Sequence, residues 1–114
     1  MSTASAPTAC VVYITTDSAQ AADSLAAALV QEKLAACVNR IGPIQSTYSW
    51  KDQLQQDAEY LLMVKTSATR LPALQQRVQE LHSYDVPEII AVPVVAGLPA
   101  YLDWINMQTQ ESDT

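Results

Sequence analysis

The stretch from Cys37 to Thr66, CVNRIGPIQSTYSWKDQLQQDAEYLLMVKT, limits what this chain can become more than any other. Strand-favouring residues stand on both sides of one polar break: Val38, Ile41, Ile44, Tyr48 and Trp50 before it, and Tyr60-Leu61-Leu62-Met63-Val64 after it. β-Branched and aromatic side chains suit a pleated, half-buried surface, so the pattern predicts a long β-hairpin turning at Lys51-Asp52-Gln53. Side chains alternate along a strand, which puts Tyr60, Leu62 and Val64 on one face and Leu61 and Met63 on the other. Both faces are apolar, and both need a cover.

The flanking segments decide the topology. Ala9–Thr15 reads as a strand apolar on both faces, and Thr16, Asp17 and Ser18 offer a cap for a helix running to about Leu34. Ala22, Leu25, Ala26, Leu29 and Leu34 recur on one face of that helix, whose many alanines let it lie close to a sheet. After the hairpin, a second helix is expected from about Thr69, with Pro72 in its first turn and Leu71, Leu74, Val78 and Leu81 as its buried stripe. A last strand, Ile89–Val95, and a short helix from Ala100 to about Met107 close the chain. The order β-α-β-β-α-β defines an α+β, ferredoxin-like sandwich with strand order 4-1-3-2, a long β2–β3 hairpin and a short C-terminal helix. Proline cannot donate to a sheet ladder; Pro43 and Pro93 fall in the two strands that this order places at the edges. The expected boundaries are a flexible tail over 1–8, one domain over 9–107 and a polar tail over 108–114.

Charge narrows the partners. Charged residues make up 16% and apolar ones 49%, too apolar for disorder, and the net charge of −6 disfavours a nucleic-acid backbone and favours cations. The start MSTASAPT lacks the basic and apolar regions of a signal peptide, and no apolar run is long enough to span a bilayer, so a cytoplasmic protein away from membranes is expected. Cys10 and Cys37 open strands 1 and 2, with strand 3 between them. Two inter-strand spacings, about 9–10 Å, exceed what a disulfide bridges, so both are expected as free thiols. Two helices cover only one sheet face, and strand 4 is an apolar edge with little charge to protect it. Self-association resolves both problems.

Three segments resemble the CutA divalent-cation-tolerance family: Glu32–Asn39; Tyr48-Ser49-Trp50-Lys51 leading to Glu59 and Lys65-Thr66; and His82–Ile90 followed by Pro93 and Tyr101–Ile105. The resemblance covers about residues 9 to 107 and implies a tight homotrimer, a likeness to PII-type signalling proteins, and a link to copper tolerance without established catalysis. Asp52 stands where the family usually has glycine in the hairpin turn, Ser83 where it has proline, and Ile14-Thr15 where some members carry a thiol.

Candidate sites follow from topology. The end of strand 1, the hairpin and the loop after helix 2 belong to one end of the protomer; Cys37 lies at the other, roughly 35–40 Å away along a straight strand. His82, the only imidazole, and Glu88 are the candidate ligands for Cu(II) or another divalent cation, which folding does not require. Tyr48, Trp50, Glu59, Lys65, Tyr84, Glu88 and Trp104 are the candidates for a cleft between subunits that takes a metal or a small molecule. The competing readings are a PII-like signalling or scaffold protein without metal, and an enzyme using Glu88 or His82 as acid or base. The chain has only two glycines and no nucleophile paired with a base, which ranks the enzyme last.

Overall fold

The computed structural model describes residues 8–111. The elements are β1 (Ala9–Thr16), α1 (Ala19–Gln31), β2 (Cys37–Trp50), β3 (Gln53–Ser67), a 3-10 turn (Ala68–Arg70), α2 (Leu71–Leu81), β4 (Ile89–Pro93) and α3 (Pro99–Gln108). One antiparallel sheet has the order β2-β3-β1-β4, so the two proline-bearing strands are its edges, as the sequence predicts. The expected N-terminal tail lies outside the described residues except for Thr8, whose carbonyl accepts from the Ala68 N–H at 2.7 Å.

Register shows how one face is closed. Val12 sits opposite Val64 and Ile14 opposite Leu62, and all four are fully buried under Leu25 and Leu29 of α1 and Leu74 and Val78 of α2. The Ser18 hydroxyl caps α1 by accepting from the Ala21 N–H at 3.0 Å. The helix stops at Gln31, short of the expected Leu34, because Lys33 turns left-handed at φ 62°. The N–H groups of Leu34 and Ala35 then both reach the Leu29 carbonyl, at 2.9 and 3.1 Å, and Leu34 enters the core from the turn. Leu81, expected in the buried stripe of α2, is exposed at the helix end.

The opposite face is open. Ile41, Ile90 and Val92 are 39%, 54% and 47% exposed. α3 covers only the end near the start of β1, where Ile105 packs on Ala9 and Ala36. Thr109 belongs to this packing rather than to a tail: it is buried, with its hydroxyl 2.9 Å from the Ile105 carbonyl and 3.0 Å from Ser67 Oγ. β4 ends at Pro93 rather than Val95, because Cys10 already faces Pro93 and β1 begins one residue earlier. Cys10 faces Thr66 and Cys37 faces Lys65 from opposite sides of β3, and both thiols are free.

Between Ile41, opposite Leu61, and Ile44, opposite Glu59, β2 carries one residue more than β3. This bulge holds the cis peptide Gly42-Pro43, with Gly42 at φ 138°. A side chain there would be strained, and its Cβ would lie 3.1 Å from the Glu59 carbonyl oxygen. A single extra residue reverses which side chains face which way. Cys37, Asn39 and Ile41 face away from the helices before the bulge; Ile44, Ser46, Tyr48 and Trp50 do so after it, opposite Glu59, Asp57, Gln55 and Gln53. β1 pairs with β3 only as far as Thr16–Tyr60, so β2 and β3 continue beyond it as a two-stranded ribbon. Its turn is Lys51-Asp52 alone, at φ 53° and 62°, the left-handed pair that a two-residue hairpin prefers.

Candidate functional site

The ribbon, the end of β1 and the loop after α2 enclose a groove of about 810 Å³ on the open face of the sheet. Thr15 comes from β1, Ser46, Tyr48, Trp50, Gln55 and Glu59 from the ribbon, and Tyr84, Asp85 and Glu88 from the loop. The bulge makes this possible, since it turns Tyr48 and Trp50 to the same side as Glu59.

Two side chains hold the loop in place. His82 Nδ1 accepts from the Tyr84 N–H at 3.0 Å, which leaves Nε2 to carry the proton and donate to the Thr15 carbonyl at 2.7 Å. Both ring nitrogens are engaged, so His82 offers no free lone pair to a metal in this conformation. It supports the groove from behind. The Tyr84 ring lies 4.6 Å from the imidazole, and its hydroxyl donates to Glu59 Oε2 at 2.8 Å. Burial, then the Glu59 carboxylate it faces, pushes the Tyr84 phenol well above its ordinary range, so it stays a neutral donor. Tyr48 donates to Asp57 across the ribbon, and that bond raises its phenol as well.

Five of the expected cleft residues, Tyr48, Trp50, Glu59, Tyr84 and Glu88, come together here. Lys65 and Trp104 do not. Lys65 is six residues further along β3, roughly 20 Å by strand rise, and donates to Asn39. Trp104 is on α3, stacked against Tyr101 with ring centroids 5.5 Å apart. Thr15, Ser46, Thr47, Gln55, Asp85 and Val86 complete the lining, and the face reversal at Gly42-Pro43 is what selects Ser46. The groove carries the carboxylates of Glu59, Asp85 and Glu88 and is lined by no lysine, arginine or histidine. Among the described residues, no three His, Cys, Asp or Glu side chains converge as a metal centre would need. A second cavity of about 520 Å³, near the end of α3, is bounded by the 2.7 Å ion pair between Arg70 and Glu111.

A split-βαβ protomer whose β2–β3 ribbon outgrows its sheet and walls an acidic groove defines a distinct class of small α+β protein. The chain belongs to the CutA1 divalent ion tolerance protein family, whose pattern it matches over residues 10–108. It is 46% identical over 102 residues to the chloroplastic protein CutA 1 of Oryza sativa subsp. japonica, a match covering 90% of this chain and 58% of that protein. The divalent-cation tolerance protein CutA of Thermus thermophilus is 46% identical over 99 residues, covering 87% of this chain and 96% of its own. The crystal structure of CutA1 from Oryza sativa superposes with a TM-score of 0.90 at 44% identity, over 93% of this chain and 97% of that one. The chain thus spans little more than half the length of the curated rice relative. No helix among the described residues is long and apolar enough to cross a membrane.

Proposed function

We propose that the chain works as a homotrimeric, non-catalytic binding protein in the response to divalent cations, with the groove as a cleft at the subunit boundary. The convergence of Tyr48, Trp50, Glu59, Tyr84 and Glu88 on one cavity carries this reading. Its volume is in the range of small-ligand sites, roughly 300–1,000 Å³. The groove lies on the same side of the sheet as the exposed Ile41, Ile90 and Val92, an apolar surface that a second copy would cover, and a count of three is what the CutA resemblance implies. Sedimentation equilibrium tests the assembly, and a stable monomer of 12.4 kDa at micromolar concentration overturns it.

The metal form of this reading places Cu(II) or another divalent ion on the groove carboxylates, with Glu88 as an oxygen ligand. His82 joins only if its bond to the Tyr84 N–H is given up. A Cu(II) titration of the native protein, Glu88→Gln and His82→Ala decides this; equal affinity in all three removes the metal form. The core closes on side chains alone, so EDTA leaves the melting temperature unchanged. A PII-like signalling or scaffold role draws on the ribbon tip, where Trp50 and Leu54 are 61% and 75% exposed. A trimer that binds neither metal nor small molecule supports that alternative. A cytoplasmic location fits the two free thiols, and cell fractionation checks it.

A further inference from the structure

The groove combines carboxylates with aromatic walls in a way that suits one kind of cation better than another. A divalent metal ion asks for several oxygen or nitrogen ligands converging at about 2.0–2.6 Å. Glu59, Asp85 and Glu88 line a space of about 810 Å³ without forming such a cluster. Glu59 already accepts from Tyr84, while Asp85 and Glu88 make no side-chain hydrogen bond or ion pair among the described residues. A large cation of spread charge has no need of a coordination sphere. It needs a negative field and π faces to lie against. The ribbon supplies both, with Tyr48 and Trp50 lining the groove beside the carboxylates. At the ribbon tip, outside the groove lining, the Trp50 ring already has an ammonium near it: Lys51 Nζ is 5.9 Å from the ring centroid. Tyr84, held neutral, donates to Glu59 and adds an aromatic wall without adding charge.

We propose that the groove binds an organic monocation, an alkylammonium or guanidinium group on a small apolar body, seated against Trp50 and Tyr48 and balanced by Glu59 and Glu88. This deepens the binding role proposed above and rests on it. The apolar body lies along the rings, the charged head faces the carboxylates, and Lys51 acts as a tethered competitor for the Trp50 face.

The test is calorimetric titration of the full chain with choline and with n-butylguanidinium, each compared with 3,3-dimethylbutan-1-ol, the neutral counterpart of choline. Quenching of Trp50 in a Trp104→Phe background locates the binding, because Trp104 is outside the groove. The cations are expected to bind about tenfold or more tightly than the alcohol, and Glu88→Gln to weaken them while leaving the alcohol unchanged. Removing the competitor in Lys51→Met should tighten cation binding by about two- to fivefold. Equal affinity for choline and the alcohol overturns the choice of ligand class and leaves groove binding standing. No binding of any of the three, in native protein or Lys51→Met, overturns the ligand class and the groove reading together.

Discussion

The two faces of this sheet are built from similar residues and end in different states. On the face under α1 and α2, Val12, Ile14, Leu62 and Val64 are fully buried within a single chain. On the other, Ile90 and Val92 of β4 and Ile41 of β2 stay about half open, and α3 closes only one end. Apolar content does not separate the faces; the availability of a covering element does. The first face is a fold's interior, and the second is an apolar surface that the described residues leave uncovered.

The comparison can be broken most directly at Leu62. Leu62→Ala should cost about 2–5 kcal/mol in urea unfolding, because a fully buried leucine leaves a cavity. A loss under about 1 kcal/mol would mean that the core collapses around the gap, contrary to a closed face. On the open face, Ile90→Asp should leave the helix content intact and shift the assembly towards monomer in sedimentation velocity. Unchanged assembly would show that this face is not where the copies meet.

Between the faces, His82 ties the groove loop to β1 through two hydrogen bonds. His82→Ala should cost about 1–3 kcal/mol and speed hydrogen exchange at the Tyr84 amide, with exchange in the core unaffected. At the ribbon tip, Asp52 occupies a left-handed conformation at φ 62°, so Asp52→Gly should raise stability by up to about 1 kcal/mol. The smallest effect belongs to Tyr84 and is read as a loss of stability in alkaline solution. Its phenol is raised in the folded state above the ordinary 10.0, so the folded chain holds the proton more tightly than the unfolded one. That contribution is complete below pH 10 and declines as pH rises above it. Tyr84→Phe should flatten this alkaline decline in a melting-temperature profile.

Much of the fold is legible because its signals are local and repeated. The alternation in Tyr60–Val64, the helical spacing of Leu25 and Leu29, and the prolines that demand edge strands each point to the same topology. Element ends are less legible. Nothing in Gln31-Glu32-Lys33-Leu34 announces that Lys33 turns left-handed, and β4 ends where it runs out of partner rather than where its apolar run ends. The site is legible in part, for the same reason. Order along the chain places Tyr48, Trp50, Glu59, Tyr84 and Glu88 at one end of the protomer, whereas Lys65 and Trp104 share their chemistry and not their position. The role of His82 depends on which lone pairs are free, and that is settled by the path of the Tyr84 backbone, which side-chain identity does not encode.

The extra residue at Gly42-Pro43 works like a shift of reading frame written into a strand. Upstream of it one set of positions is read as outward; downstream the other set is, and Tyr48 and Trp50 are read together with Glu59 only because of that shift. Deleting either residue would remove the bulge and nothing else: Ile41 would still face Leu61, one residue would face Tyr60, and Ile44 would still face Glu59, so both aromatic rings would keep their side. Removing both would slide Ile44 opposite Tyr60 and carry the rings to the other surface of the ribbon. The loss of one residue at this point should therefore be tolerated, and the loss of two should not.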